Sequence, residues 1–228
     1  EQGYRVIIHC HHSEQEANDL ADTLNHSRPD SAVVVLADLT VVNNSEMLQQ
    51  FTQNIIQAFG QLDVLVHNAS RFYPSPLGDI DLEQWDDLFL TNAKAPLLLS
   101  QALYPYLRTR QGCIISLLDI HAHNKPFKEY AVYNMAKAAH RMMVQSFALD
   151  MAPEVRVNGI APGVNILPEA DSDQALDPQQ QKSIIDSIPM QRIGKPEEIA
   201  HSVLYLAHAR YVTGEIITVD GGRSLTLA

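Results

Sequence analysis

Six short runs of apolar residues alternate along the chain with longer amphipathic stretches. The apolar runs are RVIIHC, AVVVLAD, DVLVHN, GCIISLLD, VRVNGIAP and EIITVDGG. They are nearly continuous in Val, Ile and Leu, which is typical of parallel strands with helices on both faces. Strands of an antiparallel sheet would alternate more strictly between apolar and polar residues. The pattern therefore predicts an α/β fold with a doubly wound parallel sheet.

Helix signals fall between these runs. Ser13, with a glutamate three residues later, predicts a capping box for a helix that ends near Asn25. Pro196 and the two glutamates after it predict another helix start. Longer helical patterns cover residues 82–107 and 130–151.

The first residues are unusual for such a fold. Residues 1–3 have the pattern of a helix end, with Gly3 just after the last turn, and lead directly into a strand. A nucleotide-binding sheet should begin with a strand, a glycine-rich loop and most of a helix, because these elements bind the pyrophosphate. A fold without that central strand would leave backbone groups of its neighbours unpaired. We therefore expect that this opening segment is missing from the chain as given.

Length and composition narrow the class of protein. The 228 residues suit one domain, so we expect a single dinucleotide-binding domain over 1–228, with residues 166–182 as a substrate flap. The net charge of −11, from 16 basic and 27 acidic residues, argues against a nucleic-acid partner. No apolar run approaches the roughly 18 residues that span a bilayer. Cys10 and Cys113 lie in strand patterns, and we expect a cytoplasmic protein without disulfides.

Tyr133 and Lys137 are the first candidates for chemistry. They lie four residues apart, on one face of a predicted helix. A phenol must lose roughly 3 pKa units to be a useful acid near neutral pH. A cation about 4 Å away supplies about 4 kcal/mol at an effective dielectric constant near 20, which is enough for that shift. The alternative for an isolated pair of this kind is an exposed Tyr and Lys without function.

Several motifs together resemble the short-chain dehydrogenase/reductase family. They are HNAS ending at Ser70, TNAKAP around Asn92, YNMAK, VRVNGIAPG, RIGKPEEIA and YVTGEIITVDGG. The resemblance implies a Rossmann-type fold and, usually, a homotetramer. It also implies that Tyr133 is the proton donor, that Lys137 holds the nicotinamide ribose and lowers the pKa of Tyr133, and that Asn92 supports a proton-relay water.

One departure from the family pattern narrows the expected substrate. Most members have Ser about 13 residues before the tyrosine, whereas Asp119 stands fourteen before Tyr133. Aspartate there is similar to pteridine reductases, as are HCHHSEQEAN, HNASRFYPSPL, PGVNILPEADSD and VDGGRSLTLA. A carboxyl group suits a pterin, whose amino group and ring nitrogens offer donors and basic sites that a ketone lacks. The alternative for Asp119 is a helix or turn cap.

The residues after the first strand favour NADPH. His11, His12 and Ser13 can donate to a 2′-phosphate at a helix N-terminus, whereas NAD selectivity usually needs an acidic residue there. His9 and His11 could instead bind a metal, but no acidic or Cys partner is evident, so we expect none. By resemblance Asp38 binds adenine, and its alternative is a turn-forming aspartate.

The predicted site has three groups of residues. The catalytic group is Asp119, Tyr133, Lys137 and Asn92. The NADPH group is His11, His12, Ser13, Asp38, Leu39, Asn68, Ala69, Ser70, Tyr133, Lys137, Pro162, Gly163 and Asn165. The substrate group is Phe72, Ser70, Asp119, Tyr133, Val164 and Leu167. By resemblance Phe72 stacks the pterin against nicotinamide, and its alternative is core packing.

These residues lead to one leading hypothesis and two alternatives. The leading hypothesis is NADPH-dependent reduction of a dihydropterin, with dihydrofolate as a second substrate. One alternative is a reductase of a ketone, sugar or oxoacyl group. The other is a non-catalytic NADPH-binding sensor that kept the fold. We also expect that the C-terminal SLTLA reaches a neighbouring subunit's site.

Overall fold

A computed structural model describes residues 2–123, 125–167 and 175–227. Six strands occupy the six predicted runs: β1 Val6–Cys10, β2 Ala32–Leu36, β3 Val64–His67, β4 Cys113–Leu117, β5 Arg156–Pro162 and β6 Ile216–Val219. All four strand pairings are parallel, as the pattern predicted. The chain has the α/β architecture of a Rossmann-type fold.

Eight α-helices lie between and after the strands. They are α1 Glu14–Ser27, α2 Ser45–Phe59, α3 Leu82–Phe89, α4 Ala95–Thr109, α5 Ala131–Asp150, α6 Pro178–Asp186, α7 Pro196–His208 and α8 Arg223–Thr226. Ser13 is the N-cap of α1 but its side chain makes no capping hydrogen bond, so the predicted capping box is wrong. The predicted start at Pro196 is confirmed. The Lys195 backbone N–H there donates to the Glu198 carboxylate at 2.8 Å.

The strands form two sheets with a cavity between them. One sheet pairs β1 with β2, and the other has the order β3-β4-β5-β6. The cavity, of about 740 Å³, is lined by Val6 and Ile8 of β1 and by Val64 and Val66 of β3.

Helices cover both faces of the four-stranded sheet. On one face Leu107 of α4 and Val144 of α5 pack on Ile114 of β4, and all three are fully buried. On the other face Leu206 of α7 packs on Ile115 of β4. Strand β4 therefore has apolar contacts on both sides, which explains its unbroken apolar run.

Two predicted segments differ from the structure. The pattern over 82–107 is not one helix, because a π-helical turn at Leu90–Lys94 separates α3 from α4. The predicted flap at 166–182 includes residues 168–174, which lie outside the described residues. Its last part, from Pro178, is the beginning of α6.

None of the helices in the described part of the chain combines the length and the apolarity needed to cross a lipid bilayer.

Candidate active site

A pocket of about 360 Å³ lies where β4 and β5 end. Parallel strands place their carboxyl ends at one edge, and ligands of such sheets bind there. The pocket brings together eight of the predicted residues, namely Phe72, Asp119, Tyr133, Pro162, Gly163, Val164, Asn165 and Leu167.

Tyr133 and Asp119 are joined by a hydrogen bond inside this pocket. The Tyr133 hydroxyl donates to Asp119 Oδ2 at 2.7 Å, and Asp119 Oδ1 accepts from the His121 backbone N–H at 2.8 Å. Asp119 therefore caps a 3₁₀ turn, as its alternative predicted, and also binds the tyrosine, while its role with a pterin stays a prediction. Burial raises the pKa of Tyr133, and the negative charge and hydrogen bond of Asp119 raise it further. The phenol is thus held in its protonated form.

Lys137 lies on the same face of α5 and is also buried. Its ammonium donates to the Leu117 carbonyl at 3.0 Å and lies 5.8 Å from the centre of the Tyr133 ring. Burial lowers the pKa of Lys137 to about 8, against the opposing effect of Asp119. The expectation that Lys137 would bring the pKa of Tyr133 below its usual value is wrong for this geometry. The physical reason is that burial and the adjacent carboxylate both favour the neutral phenol.

Asn92 lies in the π-helical turn, and its side chain is fully hydrogen-bonded within the protein. Its amide donates to the carbonyls of Leu88 at 3.0 Å and Arg71 at 2.8 Å. Its Oδ1 accepts from the Ser70 hydroxyl at 2.7 Å. Ser70, predicted to bind cofactor or substrate, thus holds Asn92 here. The proton-relay role of Asn92 stays a prediction, and the side-chain bonds attach the loop after β3 to this turn.

Phe72 forms part of an aromatic wall beside Tyr133. One face of its ring stacks on Tyr130, with centroids 4.5 Å apart and an interplanar angle of 16°. The Tyr133 ring meets it edge-on at 4.8 Å. Phe72 is 42% exposed, so it is not a core residue and retains a surface for a ligand ring. Its predicted stacking role therefore has space in this pocket.

Comparisons with known proteins fit this geometry. The family model described as Enoyl-(Acyl carrier protein) reductase matches residues 1–224. Pteridine reductase 1 of Leishmania tarentolae is 33% identical over 100% of this chain and 90% of its own length. A putative ketoacyl reductase 2 of granaticin polyketide synthase, from Streptomyces violaceoruber, is 30% identical over 98% of this chain and 88% of its own. An uncharacterized oxidoreductase, YmfI of Bacillus subtilis, is 28% identical over 97% and 89%.

The chain belongs to the short-chain dehydrogenase/reductase family. It is an oxidoreductase of that family, whose members use NAD(P)(H). The names of these relatives indicate different reactions, although they match over similar lengths of the chain. The comparisons therefore identify the family and not the substrate.

The residues predicted for the cofactor are divided between the larger cavity, the pocket where β4 and β5 end, and the end of β1. Leu39, Asn68 and Ala69 line the larger cavity between the sheets. Gly163 lies at the end of β5, where a Cβ atom would come within 2.7 Å of the Asp220 Cβ, so only glycine fits. The close approach of Asp220 therefore explains this glycine, and the role of Gly163 with the cofactor stays a prediction.

The residues predicted to bind the 2′-phosphate lie at the end of β1. The rings of His11 and His12 are 3.6 Å apart, and His11 Nε2 is 3.4 Å from Asp38 Oδ2. Asp38 Oδ1 accepts from the Thr40 backbone N–H at 2.8 Å, so its turn-forming alternative is present, and its role with adenine stays a prediction. Two imidazoles and the Ser13 hydroxyl before α1 are a donor set that fits a 2′-phosphate.

The histidine run does not form a metal site among the described residues. His9 Nε2 lies 2.8 Å from the Ala37 carbonyl, and no group of three His, Cys, Asp or Glu in residues 2–123, 125–167 and 175–227 could hold a metal ion.

Eight lining residues of the pocket were not among the predicted site residues, and four of these are aromatic or charged: His121, Phe127, Tyr130 and Arg223. The first three come from the loop between Asp119 and α5, whose aromatic residues were the available signal. Arg223 follows the two glycines after β6, and no feature of the sequence indicated that it would line the pocket. The tail after it contacts its own chain, because the Thr226 hydroxyl donates to the Ser187 carbonyl at 2.6 Å. The predicted contact of this tail with a neighbouring subunit stays a prediction.

Proposed function

We propose that this chain catalyses the NADPH-dependent reduction of a pteridine ring, taking a dihydropterin or dihydrofolate to the tetrahydro form. The observation that carries the proposal is the hydrogen bond from Tyr133 to Asp119, in a pocket with an aromatic wall. The similarity of the whole chain to pteridine reductase 1 supports it.

The chemistry requires one hydride and one proton across a C=N bond of the ring. When bound, the reduced nicotinamide supplies the hydride to the ring carbon. Tyr133 donates its hydroxyl proton to the ring nitrogen. The raised pKa of Tyr133 keeps this proton on the phenol in the resting enzyme. Lys137 stabilises the phenolate that results, as an ammonium near its ring. Asp119 takes up a proton from solvent water and passes it to the phenolate across the 2.7 Å contact, which restores the carboxylate and the phenol.

Stacking on the aromatic wall would position the pteridine ring. A pteridine is planar, and offset stacking on Phe72 is a favourable arrangement for such a ring. Stacking between Phe72 and the nicotinamide would present the ring edge to Tyr133, which lies edge-on to Phe72. Val164 and Leu167 would close the pocket on the side of the proposed flap.

A second candidate is reduction of a ketone, sugar or oxoacyl group. It is favoured by the similarity to a putative ketoacyl reductase over 98% of the chain. Carbonyl reduction builds negative charge on oxygen, which donors stabilise and a carboxylate opposes. Asp119 therefore makes this site less suited to a ketone than to a ring nitrogen that accepts a proton.

The NADPH preference rests on charge around the end of β1. His11, His12 and Ser13 can donate to a phosphate, and His11 shields Asp38 from it at 3.4 Å. We expect NADPH to bind more tightly than NADH, because these donors face the position of the 2′-phosphate. Isothermal titration with both cofactors tests this, and equal affinities would contradict it.

The deciding experiment compares substrates with one spectroscopic assay. Oxidation of NADPH is recorded at 340 nm with dihydrobiopterin, dihydrofolate and a panel of ketones and oxoacyl esters. Turnover of a dihydropterin supports the proposal, whereas turnover of ketones alone replaces it by the second candidate. Tight NADPH binding without turnover of any substrate would favour a sensor.

The proposal includes one domain over residues 1–228, a cytoplasmic location and a homotetramer. The assembly is supported by α5, whose exposed positions from 131 to 149 carry no charge and include Met135, Met142 and Leu149. A solvated helix face usually carries charged residues, so an uncharged face suits contact with a second copy.

A further inference from the structure

Arg223 is an arginine buried in the wall of the active-site pocket. It is the first residue of α8 and is 9% exposed. It lines the same pocket as Asp119, Tyr133 and Phe72. None of the steps proposed above uses this side chain.

The nitrogens of Arg223 have no partner in the described part of the chain. Its Nε is buried without a hydrogen bond, and no carboxylate among the described residues lies within ion-pair distance of its guanidinium. Buried arginines are usually paired, because the protein must replace the lost hydration of the charge. A bound ligand can supply that partner.

The two nearest acidic side chains are already engaged elsewhere. Asp220 accepts from the backbone N–H groups of Gly222 at 2.8 Å and Ser224 at 2.7 Å. Asp119 accepts from Tyr133 and His121. Both carboxylates therefore act on Arg223 only through their charge, and no hydrogen bond to a described residue occupies its side-chain donors.

From this arrangement we infer that Arg223 is a specificity-determining residue that binds a carboxylate attached to the substrate's ring. The planar guanidinium donates two parallel N–H groups, which match the two oxygens of a carboxylate. A neutral substituent would leave the buried cation without a counter-charge. The inference rests on the proposed function for the identity of the ring, and adds the substituent that the pocket selects.

The test compares two ligands that differ only in one charged group. Pterin-6-carboxylate and 6-hydroxymethylpterin are titrated into the protein with saturating NADP⁺, by calorimetry. We expect the wild-type protein to bind the carboxylate at least about tenfold more tightly. Arg223→Met should bring the ratio close to one, and Arg223→Lys should keep part of it because the charge remains. Arg210→Met is the matched control, since Arg210 is exposed after the end of α7, does not line this pocket and should leave the ratio unchanged.

Two further ligands distinguish a failure of this inference from a failure of the proposed function. Benzoate and benzyl alcohol carry the same two groups on a ring that is not a pteridine. A preference for benzoate that depends on Arg223, together with no binding of either pterin, would overturn the pteridine ring and keep the role of Arg223. Turnover of dihydropterins with a carboxylate preference that survives in Arg223→Met would overturn the role of Arg223 alone. Circular dichroism of each variant shows whether the fold is intact, and Arg223→Lys decides the question where Arg223→Met fails to fold.

Discussion

The Tyr133 hydroxyl donates a hydrogen bond to Asp119 Oδ2 at 2.7 Å. At the scale of single residues this contact sets the chemistry of the site. The carboxylate raises the pKa of the phenol, so Tyr133 is a weak acid at rest. In the proposed reaction it gives its proton to a basic ring nitrogen, with the Lys137 ammonium nearby. The same contact would then favour a substrate that accepts a proton.

The first prediction concerns two variants, each of which removes one partner of the hydrogen bond between Tyr133 and Asp119. Tyr133→Phe should lower kcat for dihydropterin by at least about 100-fold, because a general acid contributes about 10²- to 10⁴-fold. Asp119→Ser should lower pterin turnover and leave NADPH binding intact, since the hydroxyl cannot return the proton. Steady-state kinetics at 340 nm measure both effects.

Tyr211→Phe is the control for the tyrosine variant, because Tyr211 is fully exposed. Wild-type turnover in Tyr133→Phe would remove the tyrosine from the mechanism. Improved ketone turnover in Asp119→Ser would agree with the argument that a carboxylate opposes charge on a carbonyl oxygen.

The second prediction concerns the charge of Lys137. Its pKa is lowered to about 8, so the ammonium is present below pH 8 and is lost as the pH rises above it. The rate constant kcat/KM should therefore fall above pH 8, with a limiting slope of one proton. Lys137→Arg keeps the charge to much higher pH and should move the decline upward. A profile that is flat to pH 10 in the wild-type protein would show that the charge of Lys137 is not needed.

At the scale of elements, two buried histidines join the strands to the helices behind the site. His67 at the end of β3 lies 2.8 Å from the Ser100 hydroxyl of α4, and His140 of α5 lies 2.9 Å from the Ser116 hydroxyl of β4. Their rings meet edge-on at 5.8 Å. Burial lowers the pKa of both, that of His67 to about 4. The contact depends on neutral imidazoles.

The third prediction follows from the sign of this shift. Between pH 6.5 and pH 4 the unfolded chain binds a proton at His67 that the folded protein does not, so stability decreases as the pH falls through that window. At pH 5 His67 alone should cost about 2 kcal/mol relative to pH 7.5. His67→Gln keeps a donor for Ser100 without the titration and should show a smaller loss.

Urea unfolding at the two pH values measures the difference in the free energy of unfolding. His201→Gln is the control, since His201 is exposed on α7. An equal acid sensitivity of His67→Gln and the wild-type protein would contradict the prediction.

Elements with strong local patterns could be predicted from the sequence, and long-range contacts could not. The runs of Val, Ile and Leu located all six strands, and Tyr133, Lys137 and Asp119 were placed at the same strand ends. The break between α3 and α4 was missed, because the π-helical turn is stabilised by bonds of Asn92 to Arg71 and Ser70, more than twenty residues away.

The missed pocket residues have the same physical explanation. Arg223 enters the site because β6 pairs with β5 and the two glycines after it turn the chain back, with positive φ at Gly221 and Gly222. The lowered pKa of Lys137 also escaped sequence reasoning, since the spacing of Tyr and Lys indicates their proximity but not their burial.

At the scale of the whole molecule, the uncharged face of α5 connects assembly to catalysis. The helix that carries Tyr133 and Lys137 on its buried side exposes Met135, Met142 and Leu149 on the other. If this face packs on a second copy, the assembly holds α5 rigid and with it the catalytic pair. Assembly and activity should then change together.

The fourth prediction tests this link. Met142→Glu places a charge in the centre of the face, where it would be desolvated in the assembly, so the homotetramer should dissociate into smaller species. Light scattering after size-exclusion chromatography measures the mass, and NADPH oxidation at 340 nm measures kcat on the same samples.

Leu20→Glu is the matched control. Leu20 is 49% exposed on α1, and acidic residues precede it in that helix, so this variant should keep the wild-type mass. A wild-type protein that is monomeric at micromolar concentration would exclude the assembly. Dissociation of Met142→Glu with unchanged kcat would keep the interface and show that each subunit holds its catalytic pair without help from a neighbour.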